Sequence, residues 1–207
     1  AHAPDPDSRP ESQASKACQP TPDRPVFCLP DPYQQACNDH DGESRRMKHR
    51  LTTWSSALAP RHRAHLAAAY TTLRWRRPVS VTYEAPLYRR QYPGTVLYSP
   101  GPTGQPPEIE AAQTIDIFCW EHLPQPADLV LDIGAGTGSE ALTFSRLVGP
   151  GGVVLSVEAH PVVFEALTRT LRANGVANVI CAPVAVSDSR GQVRIEDASQ
   201  GWLGNSI

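Results

Sequence analysis

The sequence predicts an α/β fold with a doubly wound parallel sheet in its second half. From residue 128 onward, short apolar runs alternate with helical stretches, and glycine or proline marks most boundaries between them. Such alternation is typical of βαβ units, which form parallel sheets through right-handed crossovers. The first half differs, because most of the 21 prolines among the 207 residues are concentrated there. The predicted sheet is therefore confined to residues 128–207.

The predicted elements of this region follow one another with short connections. They are a strand (129–133), a glycine loop (134–138), a helix (139–148), a Gly-Pro-Gly-Gly turn (149–152), a strand (153–157), a helix opened by Pro161 (161–174) and an apolar run (178–186). Residues 192–195 are a candidate for a further strand. Three or four strands are about half of a doubly wound sheet, and both faces of a parallel sheet need cover. We therefore expect an incomplete domain whose natural chain continues past Ile207.

Residues 44–127 are predicted to form a lead-in to this sheet. A helix over Glu43–Trp75, broken at Pro60, is indicated by alanines and by an apolar spacing of three and four residues at Leu66, Tyr70 and Leu73.

After this helix, Val79–Tyr83 and Thr95–Ser99 are predicted to form a hairpin, with the turn at Tyr92-Pro93-Gly94. Glu108–His122 then predicts a helix with Ile109, Ala112, Ile115 and Cys119 on one face.

Residues 1–43 are predicted to form a disordered, Pro- and Asp-rich tail, because they offer little apolar surface to bury. This region contains four potential metal ligands, namely Cys18, Cys28, Cys37 and His40. Their spacing lacks the close cysteine pairs of structural zinc sites, so we expect free thiols or one disulfide and no metal. Cys119 and Cys181 lie in apolar contexts and are predicted to be buried.

A basic block spans residues 45–77, where nine Lys and Arg residues occur without one acid. One hypothesis is an RNA-binding or anionic-membrane surface. The alternative, which we favour, is a solvated helix pair that binds no nucleic acid. No apolar run approaches the roughly 20 residues of a membrane span, and we expect a soluble chain. The compartment stays open, with the cytoplasm favoured over a secretory lumen.

The chemistry of the chain is expected at the glycine loop. Asp132 ends the first strand, and Gly134, Gly136 and Gly138 alternate with Ala135 and Thr137 before a helix begins. Glycines let the backbone turn sharply and let a ligand approach closely. The N–H groups at the start of the following helix favour anionic or polar ligand groups.

A carboxylate at Glu158 ends the second strand, 20 residues beyond Gly138. An acid at that position accepts hydrogen bonds from the ribose hydroxyls of a nucleoside ligand. The G-x-G-x-G spacing with Asp132 before it favours S-adenosylmethionine (SAM) over NAD, whose fingerprint is G-x-G-x-x-G. An NAD-dependent oxidoreductase is the alternative.

From Leu129 to Val193 the chain resembles the first half of a methyltransferase domain of the FkbM type. The matching segments are Val130–Ala135, Gly149–Val153, Val157–Pro161, Asn174-Gly175, Asn178-Val179, Ala185–Asp188 and Gly191. The chain has Gly136 where this family commonly has Asn, and Val157 where it commonly has Phe.

The resemblance implies a Rossmann-like SAM domain and methyl transfer to a hydroxyl of a sugar, glycolipid or other small molecule. It adds Ala159 and Asp188 to the cofactor-binding candidates Asp132, Gly134–Gly138 and Glu158. Asp188 is either an adenine contact or a turn residue with Ser187. His160 is interpreted as an exposed turn residue before the Pro161 helix, with the cofactor pocket as its alternative place. No catalytic residue is assigned.

Overall fold

The computed structural model describes residues 58–192, 194 and 195. The predicted tail, the first piece of the broken helix, and Cys18, Cys28, Cys37 and His40 lie outside the described residues. In chain order the described elements are α1 (Pro60–Trp75), β1 (Ser80–Glu84), β2 (Leu87–Tyr92), β3 (Thr95–Ser99), α2 (Pro107–Phe118), β4 (Leu129–Ile133), α3 (Ser139–Val148), β5 (Val153–Val157), α4 (Pro161–Ala173) and β6 (Val179–Ala182).

The parallel sheet has the strand order β4-β5-β6. Leu129 pairs with Val153 at one end of β4, and Ile133 pairs with Val157 at the other. This confirms the predicted α/β fold and the bounds of β4, α3 and β5. Strand β6 is shorter than the apolar run 178–186. Residues 192, 194 and 195 have no strand conformation, because no neighbouring strand pairs with them in the described part of the chain.

Helices α3 and α4 both cover one face of this sheet. Val130, Val154 and Val179 on that face pack against α3, where Phe144 and Val148 are buried. Leu167 and Leu171 of α4 join the same layer. The opposite face is apolar and mostly solvent-exposed within the described range, with Leu155 half-buried, and we call it the bare face. It consists of Leu129, Leu131, Ile133, Val153, Leu155 and Ile180.

The lead-in sheet corrects the predicted hairpin. It contains three antiparallel strands in the order β1-β2-β3, so the turn after Tyr92 joins β2 to β3 rather than β1 to β3. The missed strand is Leu87–Tyr92, in which two arginines and a glutamine obscure the apolar signal. Tyr88, Arg90 and Tyr92 nevertheless share one face of the strand, because side chains alternate along it, and all three are buried.

Helix α1 confirms the second piece of the predicted helix but contacts the sheet with a different face. Leu66, Tyr70 and Leu73 are exposed, whereas Ala64, Ala67 and Thr71 are buried. Ala64 packs with Val81 and Tyr88 of the lead-in sheet. Small side chains allow the helix backbone to approach the sheet closely, so the alanine face is the contact face.

Helix α2 ends at Phe118, four residues before the predicted end at His122. Pro124 and Pro126 follow, and helices usually end before a proline. Cys119 and Cys181 are half-buried rather than fully buried, and both are free thiols. None of the described helices is long and apolar enough to cross a membrane.

Helix α4 joins the two sheets through its side chains. The backbone N–H of Tyr98 donates to Thr170 Oγ1 at 3.0 Å, and the N–H of Val96 donates to Asn174 Oδ1 at 3.1 Å. Asn174 Nδ2 in turn donates to the carbonyl of Val96 at 2.6 Å. These bonds satisfy three backbone groups on the free edge of β3, which would otherwise need another strand or water.

Candidate functional site

The glycine loop joins the end of β4 to the start of α3. The N–H groups of Gly134 and Ala135 both donate to the carbonyl of Val157, at 2.8 and 3.0 Å, so the loop is anchored to the end of β5. Gly134 and Gly138 have φ values of +79° and +96°, which favour glycine. A Cβ at Gly138 would also lie 2.9 Å from Leu167 Cδ1, so this glycine lets α3 approach α4.

Glu158 holds its carboxylate against this loop. Its Oε2 accepts a hydrogen bond from the N–H of Gly136 at 3.1 Å, and its Oε1 accepts one from the N–H of His160 at 2.7 Å. His160 is the residue that precedes α4, in extended conformation. Two backbone donors therefore orient the acid at the carboxyl end of β5, beside the loop.

Asp132 lies beneath the loop and is buried. Ser156 on the neighbouring strand donates its hydroxyl to Asp132 Oδ2 at 3.1 Å. Burial raises the pKa of the Asp132 carboxyl to about 6; the Ser156 bond lowers this pKa, while the nearby carboxylates Glu140 and Glu158 raise it further. A cationic ligand group in the cleft would favour the ionised form of Asp132.

A cleft of about 760 Å³ separates the glycine loop from the lead-in. One wall contains Asp132, Gly134, Gly136, Thr137, Ser139 and Glu140. The facing wall, which we call the lead-in wall, contains Arg90, Ser99, Thr103, Gly104, Gln105, Glu110 and Gln113. The cleft therefore lies at the carboxyl ends of the parallel strands, where ligands bind in open α/β sheets.

A charge pair of a buried arginine and a partly buried glutamate lies in the lead-in wall. Arg90 is 3% exposed, and its Nη2 is 3.7 Å from Glu110 Oε1. Arg90 Nη1 donates to the carbonyl of Gln105 at 3.2 Å. Burial raises the pKa of the Glu110 carboxyl, against the lowering effect of Arg90 and of the Ser139 hydroxyl; Glu140 raises this pKa as well. The pair thus lies next to the start of α3.

The cleft is predominantly acidic. Glu110, Asp132 and Glu140 line it, and Glu158 lies at the loop, whereas Arg90 is buried in the facing wall. Acidic clefts favour cationic ligands. No group of three or more His, Cys, Asp or Glu side chains with metal-binding geometry occurs among the residues the structure describes.

The structure brings most of the sequence-predicted candidates to one place. Asp132, Gly134, Gly136 and Thr137 line the cleft, Ala135 and Gly138 are buried within the loop, and Glu158 and Ala159 follow β5. Asp188 lies apart from the cleft lining. It is exposed, and the Ser187 hydroxyl donates to its Oδ1 at 3.3 Å, as expected of a turn residue.

The lead-in wall was not predicted from the sequence. A signal was present in β2, where alternation places Arg90 between Tyr88 and Tyr92 on one face. An arginine between two aromatic residues on a strand indicates a buried cation that needs partners. Glu110 lies in the first turn of α2, where an acid is common without any tertiary partner.

A family model and several curated proteins are similar to the region that contains most of the cleft. Residues 103–202 match the family model of protein-L-isoaspartate(D-aspartate) O-methyltransferase, PCMT. A protein-L-isoaspartate O-methyltransferase of Methanococcus maripaludis is 31% identical over 108 residues, which cover 52% of this chain and 45% of that protein. Protein-L-isoaspartate O-methyltransferase 1 of Archaeoglobus fulgidus is 35% identical over 82 residues, which cover 40% of this chain and 38% of that protein.

The chain spans less than half the length of these curated relatives. Among solved structures, a protein-L-isoaspartate O-methyltransferase is 25% identical with a TM-score of 0.34, covering 55% of this chain and 31% of that one. P. horikoshii TYW2 in complex with MeSAdo is 17% identical with a TM-score of 0.39, covering 65% and 53%. The family model that matches is PCMT, and neither it nor the curated relatives support the FkbM resemblance.

Proposed function

We propose that this chain binds SAM as a class I methyltransferase and belongs to an enzyme that methylates isoaspartyl carboxylates in proteins. The observation that carries the proposal is the position of Glu158 against the glycine loop, beside the cleft, with both the loop and the acid inside the PCMT-matching region. The isoaspartyl acceptor is suggested by the curated relatives, which are protein-L-isoaspartate O-methyltransferases. We propose it in place of the small-molecule hydroxyl that the FkbM resemblance implied.

The residues of the cleft fit SAM chemically. The carboxylate of Glu158 is placed to accept hydrogen bonds from ribose hydroxyls, and the turn at Gly134 and Gly136 leaves open space above the backbone. SAM carries a sulfonium and an ammonium group against one carboxylate, so it is a net cation at neutral pH. The acids Glu110, Asp132 and Glu140 complement that charge.

An isoaspartyl acceptor also fits the chemistry of methyl transfer. SAM supplies a methyl group on a positively charged sulfur; the carbon–sulfur bond breaks as a carbon–oxygen bond forms. A carboxylate is already ionised near neutral pH, so the protein has no acceptor proton to remove. Its task is to hold the acceptor oxygen in line with the methyl group. A hydroxyl acceptor would instead require a general base.

A methylation assay on the full chain tests the proposal. We expect radioactive methyl transfer from SAM to a peptide that contains isoaspartate, and none to the same peptide with ordinary aspartate. The product should release methanol in alkali, because methyl esters hydrolyse there and methyl ethers do not.

The variant Glu158→Ala should reduce SAM affinity roughly 10- to 100-fold, the effect of losing hydrogen bonds to a charged group. Glu165→Ala, which alters an acid on α4 paired with Arg169, is the matched control and should leave SAM affinity unchanged. Alkali-stable methylation of a hydroxylated small molecule would favour the FkbM-type function over this one. Binding of NAD without binding of SAM would overturn the methyltransferase assignment.

A further inference from the structure

The charge pair of the lead-in wall has hydrogen-bonding capacity that the protein does not use. Arg90 donates from Nη1 to the carbonyl of Gln105 and, at 3.5 Å, to the hydroxyl of Tyr92. Its Nε has no hydrogen-bond partner among the described residues, and neither has the buried Oε1 of Gln105. Guanidinium groups this deeply buried normally have all their donors satisfied. The unpaired Nε therefore indicates a missing acceptor.

The position of Arg90 is fixed by its surroundings. Gly104 lies directly against the guanidinium group, because a Cβ at this position would collide with Nη1 and Cζ of Arg90. Glu110 holds the other side at 3.7 Å, which is long for an ion pair with hydrogen bonds. A cation that is held in place but loosely paired can accept a further anion without a large rearrangement.

We propose that Arg90 and Glu110 form a clamp for the amino-acid head of SAM. Arg90 binds the α-carboxylate, and Glu110 together with Gln105 Oε1 binds the α-ammonium group. The inference rests on the proposed function, because it assigns a place to the methionine half of the cofactor. It adds two charged residues from the lead-in to a site otherwise made by the glycine loop and Glu158.

The charges of the cleft favour a zwitterion over a simple anion. An acceptor carboxylate alone would satisfy Arg90 but would be repelled by Glu110, with Glu140 close to the pair. An α-amino acid head supplies both signs, so each member of the pair gains a partner. Because acids outnumber cations along the cleft, the buried arginine identifies where the single carboxylate of SAM can lie.

Three product-like ligands separate the parts of this site. S-adenosylhomocysteine carries the whole amino-acid head, its decarboxylated analogue lacks only the carboxylate, and methylthioadenosine lacks the head altogether. Calorimetry on the full chain should show that S-adenosylhomocysteine binds at least tenfold more tightly than the decarboxylated analogue. Arg90→Met should abolish this difference and leave methylthioadenosine affinity unchanged. Arg90→Lys should restore part of the difference because it keeps the charge.

Arg89→Met is the matched control, since Arg89 is adjacent on β2 but bonds to Gln91 on the other face of the strand. It should preserve the preference for S-adenosylhomocysteine. Methylthioadenosine binding and a thermal melt report whether each variant is folded. If Arg90→Met does not fold, the wild-type ratio and Glu110→Gln decide. Glu110→Gln should weaken S-adenosylhomocysteine binding but not methylthioadenosine binding.

The two proposals fail in different ways. If the wild-type chain binds S-adenosylhomocysteine and its decarboxylated analogue equally, or if the preference survives in Arg90→Met, the clamp is wrong while the SAM assignment stands. If the wild-type chain binds none of the three nucleosides, the methyltransferase assignment itself is wrong.

Discussion

At the residue scale, Asp132 links the stability of the fold to pH. Its pKa is about 6 in the folded chain, chiefly because of burial, and 3.8 is the ordinary value. Between pH 4 and pH 6, Asp132 is ionised in most unfolded chains but still protonated in most folded ones. Ionisation of Asp132 therefore favours the unfolded state, and stability falls as pH rises through this range.

We expect Asp132→Asn to remove this dependence. From pH 4 to pH 7 the wild type should lose roughly 2 to 3 kcal/mol of unfolding free energy relative to Asp132→Asn, because only the wild type has this carboxyl to ionise. Urea unfolding at both pH values measures it. Asp116→Asn, at an exposed acid on α2, is the control. An equal wild-type-to-variant difference at both pH values would contradict the prediction.

Residues of the glycine loop were predictable because their types are restricted by local backbone geometry. Gly134 and Gly138 have positive φ, which the sequence signals directly. Arg90 and Glu110 were not predictable as a pair, since only the folded chain brings them together across 20 positions of the sequence. Their roles depend on tertiary contacts that no local pattern records.

At the scale of elements, side chains of α4 accept hydrogen bonds from β3 where a neighbouring strand would otherwise do so. We expect Thr170→Val to destabilise the fold by about 1 to 3 kcal/mol, because it leaves the buried N–H of Tyr98 without an acceptor. Thr168→Val is the control, since Thr168 bonds only within its own helix, to Glu165.

Urea unfolding measures the loss, and hydrogen exchange at the Tyr98 amide locates it. Unchanged exchange at Tyr98 in Thr170→Val would show that β3 does not depend on this bond.

Element bounds were predicted well where glycine and proline separate apolar runs. Strand β4, helix α3 and strand β5 match their predicted ranges residue for residue. Strand β2 was missed because Arg89, Arg90 and Gln91 interrupt its apolar character. The contact face of α1 was wrong because the prediction followed the large side chains, whereas close packing selected the alanines.

At the scale of the whole molecule, the bare face is the largest departure from a covered sheet. Leu131 and Ile180 are 58% and 59% exposed, and contiguous apolar surface of this kind binds apolar dyes. We expect the 207-residue chain to bind such a dye, and Leu131→Thr with Ile180→Thr to reduce the fluorescence at little cost in stability.

Leu73→Thr, at an exposed leucine of α1, controls for scattered apolar residues and should change dye binding less. A cooperative thermal melt with no dye binding would show that the bare face is covered in solution.

The whole-molecule prediction from the sequence was therefore an α/β domain with a parallel sheet. Alternation of strands and helices was sufficient for that conclusion. The acceptor was not predictable, because acceptor recognition depends on shape across the cleft, and the relatives rather than any local motif suggested an isoaspartyl group.

The two sheets differ in how their outer strands meet solvent, and this directs how copies of the chain associate. Side chains of Thr170 and Asn174 bond to backbone groups of Val96 and Tyr98 in β3, which disfavours pairing of that edge with a strand from another molecule. Strand β4 has β5 on one side and no described neighbour on the other. Strands β1 and β6 likewise have only one described neighbour each, so strand-mediated self-assembly is expected to begin at β1, β4 or β6. At β4, which leads into the glycine loop, bound cofactor would oppose it.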